Sequence, residues 1–217
     1  MLASLDISRR NLALRGEESF AKVMDMAEYA RREINEIGGY YAYGKELVNG
    51  TSVYDYDVTK LSVHTLGLGL AGIEVYDLLR DEYDIQIEFG DVSNILAYIS
   101  IGDRLQDIER LVGALADIAR IYKKDSTGML SGEFISPIVA RSPQEAFYSA
   151  KESMPVEKTE GRISGEFVMC YPPGIPILAP GEMITDEIIQ YILYVKEKGC
   201  SMQGTEDKSV NKLKVLV

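Results

Sequence analysis

The segment Tyr171-Pro172-Pro173-Gly174-Ile175-Pro176-Ile177-Leu178-Ala179-Pro180-Gly181-Glu182 holds four of the chain's seven prolines. Each proline fixes φ and removes an amide donor, so the segment runs as an extended, rigid path and is excluded from the centre of a sheet. On its own, that rigidity can serve simply to lock a fold.

The remaining sequence reads as mixed helix and strand. From Ser4 to Ile37 apolar residues recur at Leu5, Leu12, Phe20, Val23, Met24, Ala27, Ala30, Ile34 and Ile37, the spacing of a helix face, and Gly38-Gly39 ends the pattern. A short strand is expected over Tyr40–Tyr43 and another over Lys60–Leu66, followed by a glycine-rich turn at Gly67–Gly72 and a helix over Ile73–Tyr83. Ile85–Glu88 reads as a strand, Phe89-Gly90-Asp91 as a turn, and Ile95–Ile101 as a buried strand. Leu105–Tyr122 carries a clean amphipathic face. Lys123–Arg141 loses periodicity. Ser142, Pro143 and Glu145 then form a capping-box signature for a helix reaching about Glu152. A strand over Gly161–Cys170, a helix over Ile188–Glu197 and a closing strand over Lys212–Val217 complete the pattern. No internal repeat is present.

Composition narrows the class. Of 217 residues 46% are hydrophobic and 26% charged, which is enough to build a core and excludes a disordered, collagenous or disulfide-scaffold chain. The net charge of -11 opposes attraction to a nucleic-acid backbone or an anionic membrane. Cys170 and Cys200 match no zinc spacing, and the opening residues lack a basic region followed by an apolar run. A cytoplasmic chain, neither exported nor membrane-spanning, is the expectation.

Three local signals suggest chemistry. Gly67-Leu68-Gly69-Leu70-Ala71-Gly72 is a formal GxGxxG with Glu88 roughly 20 residues on, a dinucleotide signature that can equally be a tight strand-to-helix turn. His64, the only histidine, lies in a strand pattern and reads as structural. Glu88 and Asp91 form an acidic pair of a kind that arises by chance in so acidic a chain.

Longer strings carry a family resemblance. Gly161-Arg162-Ile163-Ser164-Gly165-Glu166-Phe167-Val168, the Tyr171–Pro176 string and Ala179-Pro180-Gly181-Glu182 resemble the C-terminal signature of the prokaryotic ornithine/lysine/arginine decarboxylases. Leu2–Asp6, Tyr56-Asp57 with Lys60-Leu61, the Gly67–Gly72 turn, and Gln86-Ile87-Glu88 with Asn94 resemble earlier parts of the same family.

The resemblance implies an α/β, or α+β, chain: the small domain of a fold-type-I pyridoxal-phosphate enzyme over residues 1–126, a linker over 127–141, and a C-terminal α+β domain over 142–217. It implies a parent that decarboxylates arginine, lysine or ornithine in polyamine metabolism, works as a homodimer and uses pyridoxal 5'-phosphate. The family's Ser-x-His-Lys cofactor motif is absent from these residues, and Ser62-Val63-His64-Thr65 only echoes it. The chain is therefore expected to be inactive alone, to bind no cofactor by itself and to lack the large cofactor domain as a partner. Glu88, with Asp91 and Asn94 in support, is the implied contact for the substrate's distal cation. Two alternatives stand beside this reading: a non-catalytic binding or regulatory module of the same fold, and a dinucleotide-binding domain using Gly67–Gly72.

Overall fold

The computed structural model describes residues 1–126 and 135–217. It divides into two compact units, one of Met1–Glu88 with the described residues from Asn94 to Ser126, the other of Phe89–Ser93 with the described residues from Ile135 to Val217. The linker expected over 127–141 falls partly outside the described residues. Among the described residues no helix is long and apolar enough to cross a membrane.

The first unit opens with α1 (Leu2–Ile37), continuous over 36 residues, and glycines at φ 80° and 82° end it. Strands β1 (Tyr41–Ala42), β2 (Lys60–His64) and β4 (Asn94–Tyr98) pair antiparallel in the order β1-β2-β4. Period-two alternation buries Leu61, Val63, Ile95 and Ala97 on one face. Helices α2 (Gly72–Tyr83) and α3 (Leu105–Ile121) complete the unit. The core joins Ala27, Ala30 and Ile34 of α1 with Leu111, Leu115 and Ile118 of α3.

Burial on α1 begins only at Val23. Leu5, Leu12 and Phe20, expected on the packed face, stay exposed because no described element lies against the helix's first half. Arg31, only 6% exposed, is held by what it ties together. Its guanidinium donates to the carbonyls of Tyr43 (2.5 Å) and Val58 (3.0 Å), pairs with Glu28 (3.2 Å) and lies over the Tyr56 ring. A buried charge needs such partners, so Arg31 staples the loop between β1 and β2 to α1.

Two local expectations shift here. Ile85–Glu88 is not a strand: Ile85 donates back to Leu79, closing α2, and the extended pairing comes one step later as β3 (Phe89–Gly90), in place of the expected turn. The strand expected to reach Ile101 stops at Tyr98, since Ser100 donates to the Asp103 carboxylate (2.6 Å) in the turn that leads into α3.

The glycine-rich turn is a packing device. A methyl on Gly72 would come 1.9 Å from the Asn94 carbonyl oxygen, and one on Gly67 or Gly69 would meet the backbone of Gly39 or Lys124 at 2.6 Å. The backbone of this chain fills the space that a pyrophosphate would need. Glu74 also caps the Ala71 amide (2.8 Å) and pairs with Lys124 (2.8 Å), so the start of α2 already holds an anion. With β2 and β4 antiparallel neighbours, the unit lacks the parallel βαβ frame of a dinucleotide site. That alternative is set aside.

In the second unit, α4 (Pro143–Tyr148) has the expected reciprocal cap, with Glu145 N to Ser142 Oγ at 3.2 Å and Ser142 N to the Glu145 carboxylate at 2.9 Å. It ends before Glu152 because Lys151–Pro155 is recruited as β5, pairing along its length with β9 (Lys212–Leu216). The expected strand over Gly161–Cys170 is interrupted. Ser164 and Gly165 donate to Glu182 and Lys214, and only β6 (Val168–Tyr171) remains regular.

β6 lies between β7 (Ile175–Leu178) and β8 (Ser201–Gln203), so the proline-bearing strand takes an edge, as its missing donors require. The proline-rich segment is not extended throughout, however: Tyr171 ends the central strand and Pro172–Gly174 turn the chain, with Gly174 N donating to the Cys170 carbonyl (2.9 Å). Helix α5 (Asp186–Glu197), N-capped by Thr185 Oγ1 to Ile188 N (3.3 Å), packs Ile188 and Ile192 into a core with Val168, Leu178, Leu213 and Val215. Before β9, one Asp207 carboxylate accepts from Ser209 N (3.0 Å), Ser209 Oγ (2.6 Å), Asn211 N (3.0 Å) and Lys212 N (3.0 Å). These bonds, those from Ser209 foremost, hold its pKa down to about 2.

Two stability outcomes follow from this packing. Gly72→Ala forces α2 off β4 and lowers unfolding stability by about 3 kcal/mol, read as a fall in the urea midpoint. Asp207→Ala destabilises the second unit near neutral pH. The folded pKa lies below the ordinary value of 3.8, so the ionised group contributes in full above that value and loses its contribution as pH falls towards about 2. The urea-midpoint gap between wild type and variant therefore closes across that window; a constant gap would refute the assignment.

Candidate functional site

Glu88 follows α2 at the edge of the first unit. Its amide donates to Leu96 of β4 (3.0 Å), which anchors the backbone while the carboxylate faces solvent. Among the described residues that carboxylate has no hydrogen-bond or ion-pair partner. It lines an open groove of about 450 Å³ together with Asp84, Tyr98, Asp103, Asp107 and Arg110.

The other groove charges are largely committed. Asp103 takes the Ser100 amide, and Asp107 caps α3 through the Arg104 amide (3.0 Å). The Arg104 guanidinium, followed by its amide, holds the Asp107 carboxyl below the usual carboxylate range. Arg110 donates to the Tyr83 (2.5 Å) and Asp84 (3.2 Å) carbonyls, serving the exposed end of α2. Four carboxylates against one arginine leave the groove anionic, and among the described residues neither the Glu88 nor the Asp84 side chain has a hydrogen-bond or ion-pair partner.

Asn94 lies in a different setting. It opens β4 opposite His64 of β2, and its Oδ1 accepts from Tyr43 Oη (3.3 Å) and lies 3.3 Å from His64 Nδ1. Tyr43 and His64 pack edge to face with ring centroids 6.5 Å apart. In the sequence His64 and Asn94 stand apart; the signal joining them is strand register, which exists only once β2 and β4 are paired.

Asp91 belongs to the second unit. It accepts the Ser93 amide (2.8 Å), and its charge acts on Cys170 and Tyr191. Burial first, then Cys170 and Asp91, push the Tyr191 phenol up to about 12. The three residues expected to share one substrate contact are thus divided: Glu88 lines the groove, Asn94 serves the His64–Tyr43 cluster, and Asp91 keeps company with the second unit's thiols.

The groove makes a poor cradle for pyridoxal phosphate. Its lining offers no lysine for a Schiff base, and its carboxylates repel a phosphate. It suits an organic cation.

Comparison with known proteins places this geometry in context. Residues 131–208 match the family model described as "Orn/Lys/Arg decarboxylase, C-terminal domain". The arginine decarboxylase of Bacillus subtilis is 38% identical over 219 residues, covering all of this chain and 45% of that protein. The arginine decarboxylase of Halalkalibacterium halodurans is 39% identical over 222 residues, again covering all of this chain and 45% of the relative. The chain thus spans about half the length of these relatives. In fold, the constitutive lysine decarboxylase of E. coli superposes with a TM-score of 0.68 at 18% identity, covering 100% of this chain and 43% of that one. The lysine decarboxylase of Francisella novicida superposes at 0.64 with 18% identity over 94% of this chain and 40% of its own. Sequence and fold together show that the chain matches a C-terminal portion of the Orn/Lys/Arg decarboxylase family.

Proposed function

We propose that this chain supplies the substrate-reading part of a cytoplasmic, pyridoxal-phosphate-dependent decarboxylase of basic amino acids, arginine, lysine or ornithine, whose amine product serves polyamine metabolism. The observation that carries the reading is a Glu88 carboxylate without a partner among the described residues, in an anionic groove of a chain similar along its length to arginine decarboxylases. A guanidinium or ammonium taken out of water needs an anionic acceptor, and Glu88 offers one that no other group has claimed.

The cofactor supplies the electron sink for decarboxylation when bound. Because the groove does not fit it, we assign the cofactor and its lysine to sequence outside these 217 residues. The exposed half of α1 supports a larger assembly, homodimeric in this reading. Leu2 is 84% exposed, Ile7 67% and Leu14 71%, an apolar surface that the large cofactor domain would cover.

The chain by itself is accordingly expected to release no carbon dioxide from arginine, lysine or ornithine when supplied with pyridoxal phosphate; turnover by the isolated chain would overturn the proposal. In the enzyme that contains this chain, Glu88→Gln removes one charge-assisted contact worth about 1.5–3 kcal/mol, a fall of roughly 10- to 150-fold in kcat/KM. The loss is expected chiefly in KM, and an unchanged KM would exclude Glu88 from contact with the substrate.

A further inference from the structure

The second unit carries three sulfur atoms on one sheet face. Strands β6 and β8 pair antiparallel with Cys170 opposite Met202, so these two side chains point the same way from adjacent strands. Cys200 precedes Met202 by two residues and therefore shares its face. Burial agrees: Cys170 is 6% and Cys200 7% exposed, Met202 is half-buried, and the intervening Ser201 points outward. Neither cysteine is in a disulfide, and the two thiols are in hydrogen-bond contact with each other.

Access comes from one side. Cys200 and Met202 line an open groove of about 550 Å³ whose wall also carries Lys196 and Lys208. The groove takes no part in the function proposed above.

We propose that Cys170, Cys200 and Met202 form a three-sulfur site for a single copper(I) ion, entered from this groove. Thiolate and thioether donors are soft and select copper(I) over magnesium, calcium or manganese. Zinc is poorly served, since it takes four ligands, and no group of three or more His, Cys, Asp or Glu side chains suited to a metal is present among the described residues. Sulfurs in hydrogen-bond contact are close enough to share one ion through two metal–sulfur bonds of about 2.3 Å each.

Binding is balanced as a proton exchange. Two Cu–S bonds form as the Cys170 and Cys200 thiols each release one proton to solvent, Met202 donates without proton loss, and no electron moves. The bound unit carries one negative charge. Lys196 and Lys208 line the approach with positive charge, although Lys196 also donates to Asn211 (2.6 Å).

The test is an anaerobic titration of the reduced chain with copper(I) against bicinchoninate, with X-ray absorption on the product. One equivalent withdrawn from the chelator and a first shell of three sulfurs is expected. Cys170→Ser and Cys200→Ser should each weaken binding by about 100-fold or more, and the volume-conserving Met202→Leu by about 10-fold. Circular dichroism of each variant separates site loss from unfolding. No competition with the chelator, a nitrogen or oxygen first shell, or a folded Met202→Leu chain that binds as tightly as wild type would each overturn the site.

Discussion

Gly72 leaves no room for a side chain against the Asn94 carbonyl, and the groove depends on that contact. With no side chain between them, the start of α2 lies directly on β4. The end of α2 then delivers Ile85–Glu88 along the same strand, with the Glu88 amide on Leu96. A larger residue at position 72 would lift the helix and carry the groove wall with it. The conformational freedom that makes glycine costly in a helix interior is offset here by contact that no other residue permits.

Much of this architecture is legible in the amino-acid sequence. α1, α2, α3 and α5 stand where their apolar spacing puts them, and the edge position of β7 follows from proline's missing donors. What eludes sequence reading is set by partners distant in the chain. The helix expected to reach about Glu152 stops at Tyr148, and Lys151–Pro155 becomes β5 because β9 lies alongside to pair with it, a tertiary gain that overrides weak local propensity. Gly161–Cys170 alternates as a strand, yet successive amides find acceptors on different segments. The candidate site divides the same way. Glu88 is visible through family resemblance, whereas the grouping of Asn94 with His64 and Tyr43 rests on cross-strand register, which no single segment encodes.

Charge distribution separates the two candidate surfaces. The chain carries 34 acids and 23 bases, so an acidic groove is unremarkable by count alone. What distinguishes the groove is how its acids are used. Asp103 and Asp107 hold backbone amides around the start of α3, and their charge is partly spent there. Among the described residues the Glu88 and Asp84 carboxylates add charge without a side-chain partner, so an incoming cation meets acceptors that give up only water. Beside β8 the balance reverses, with lysines at the rim and sulfur beneath. One surface suits a hard organic cation and the other a soft metal ion, a division set by donor chemistry rather than by net charge.

The first half of α1 completes the physical picture. A helical stretch with no tertiary contact is marginal in water, because nucleation and backbone ordering are offset only by local hydrogen bonds. Pairs such as Asp6–Arg9 and Glu18–Lys22 are exposed and add little. Yet the apolar spacing that buries Val23, Ala27, Ala30 and Ile34 extends backward through Phe20, Leu12 and Leu5, with Gly16 and Ser8-Arg9 in the gaps. An apolar stripe at the helical period of a packed face is the pattern that a covering surface would use, and its exposure leaves this half of α1 with little beyond local hydrogen bonds.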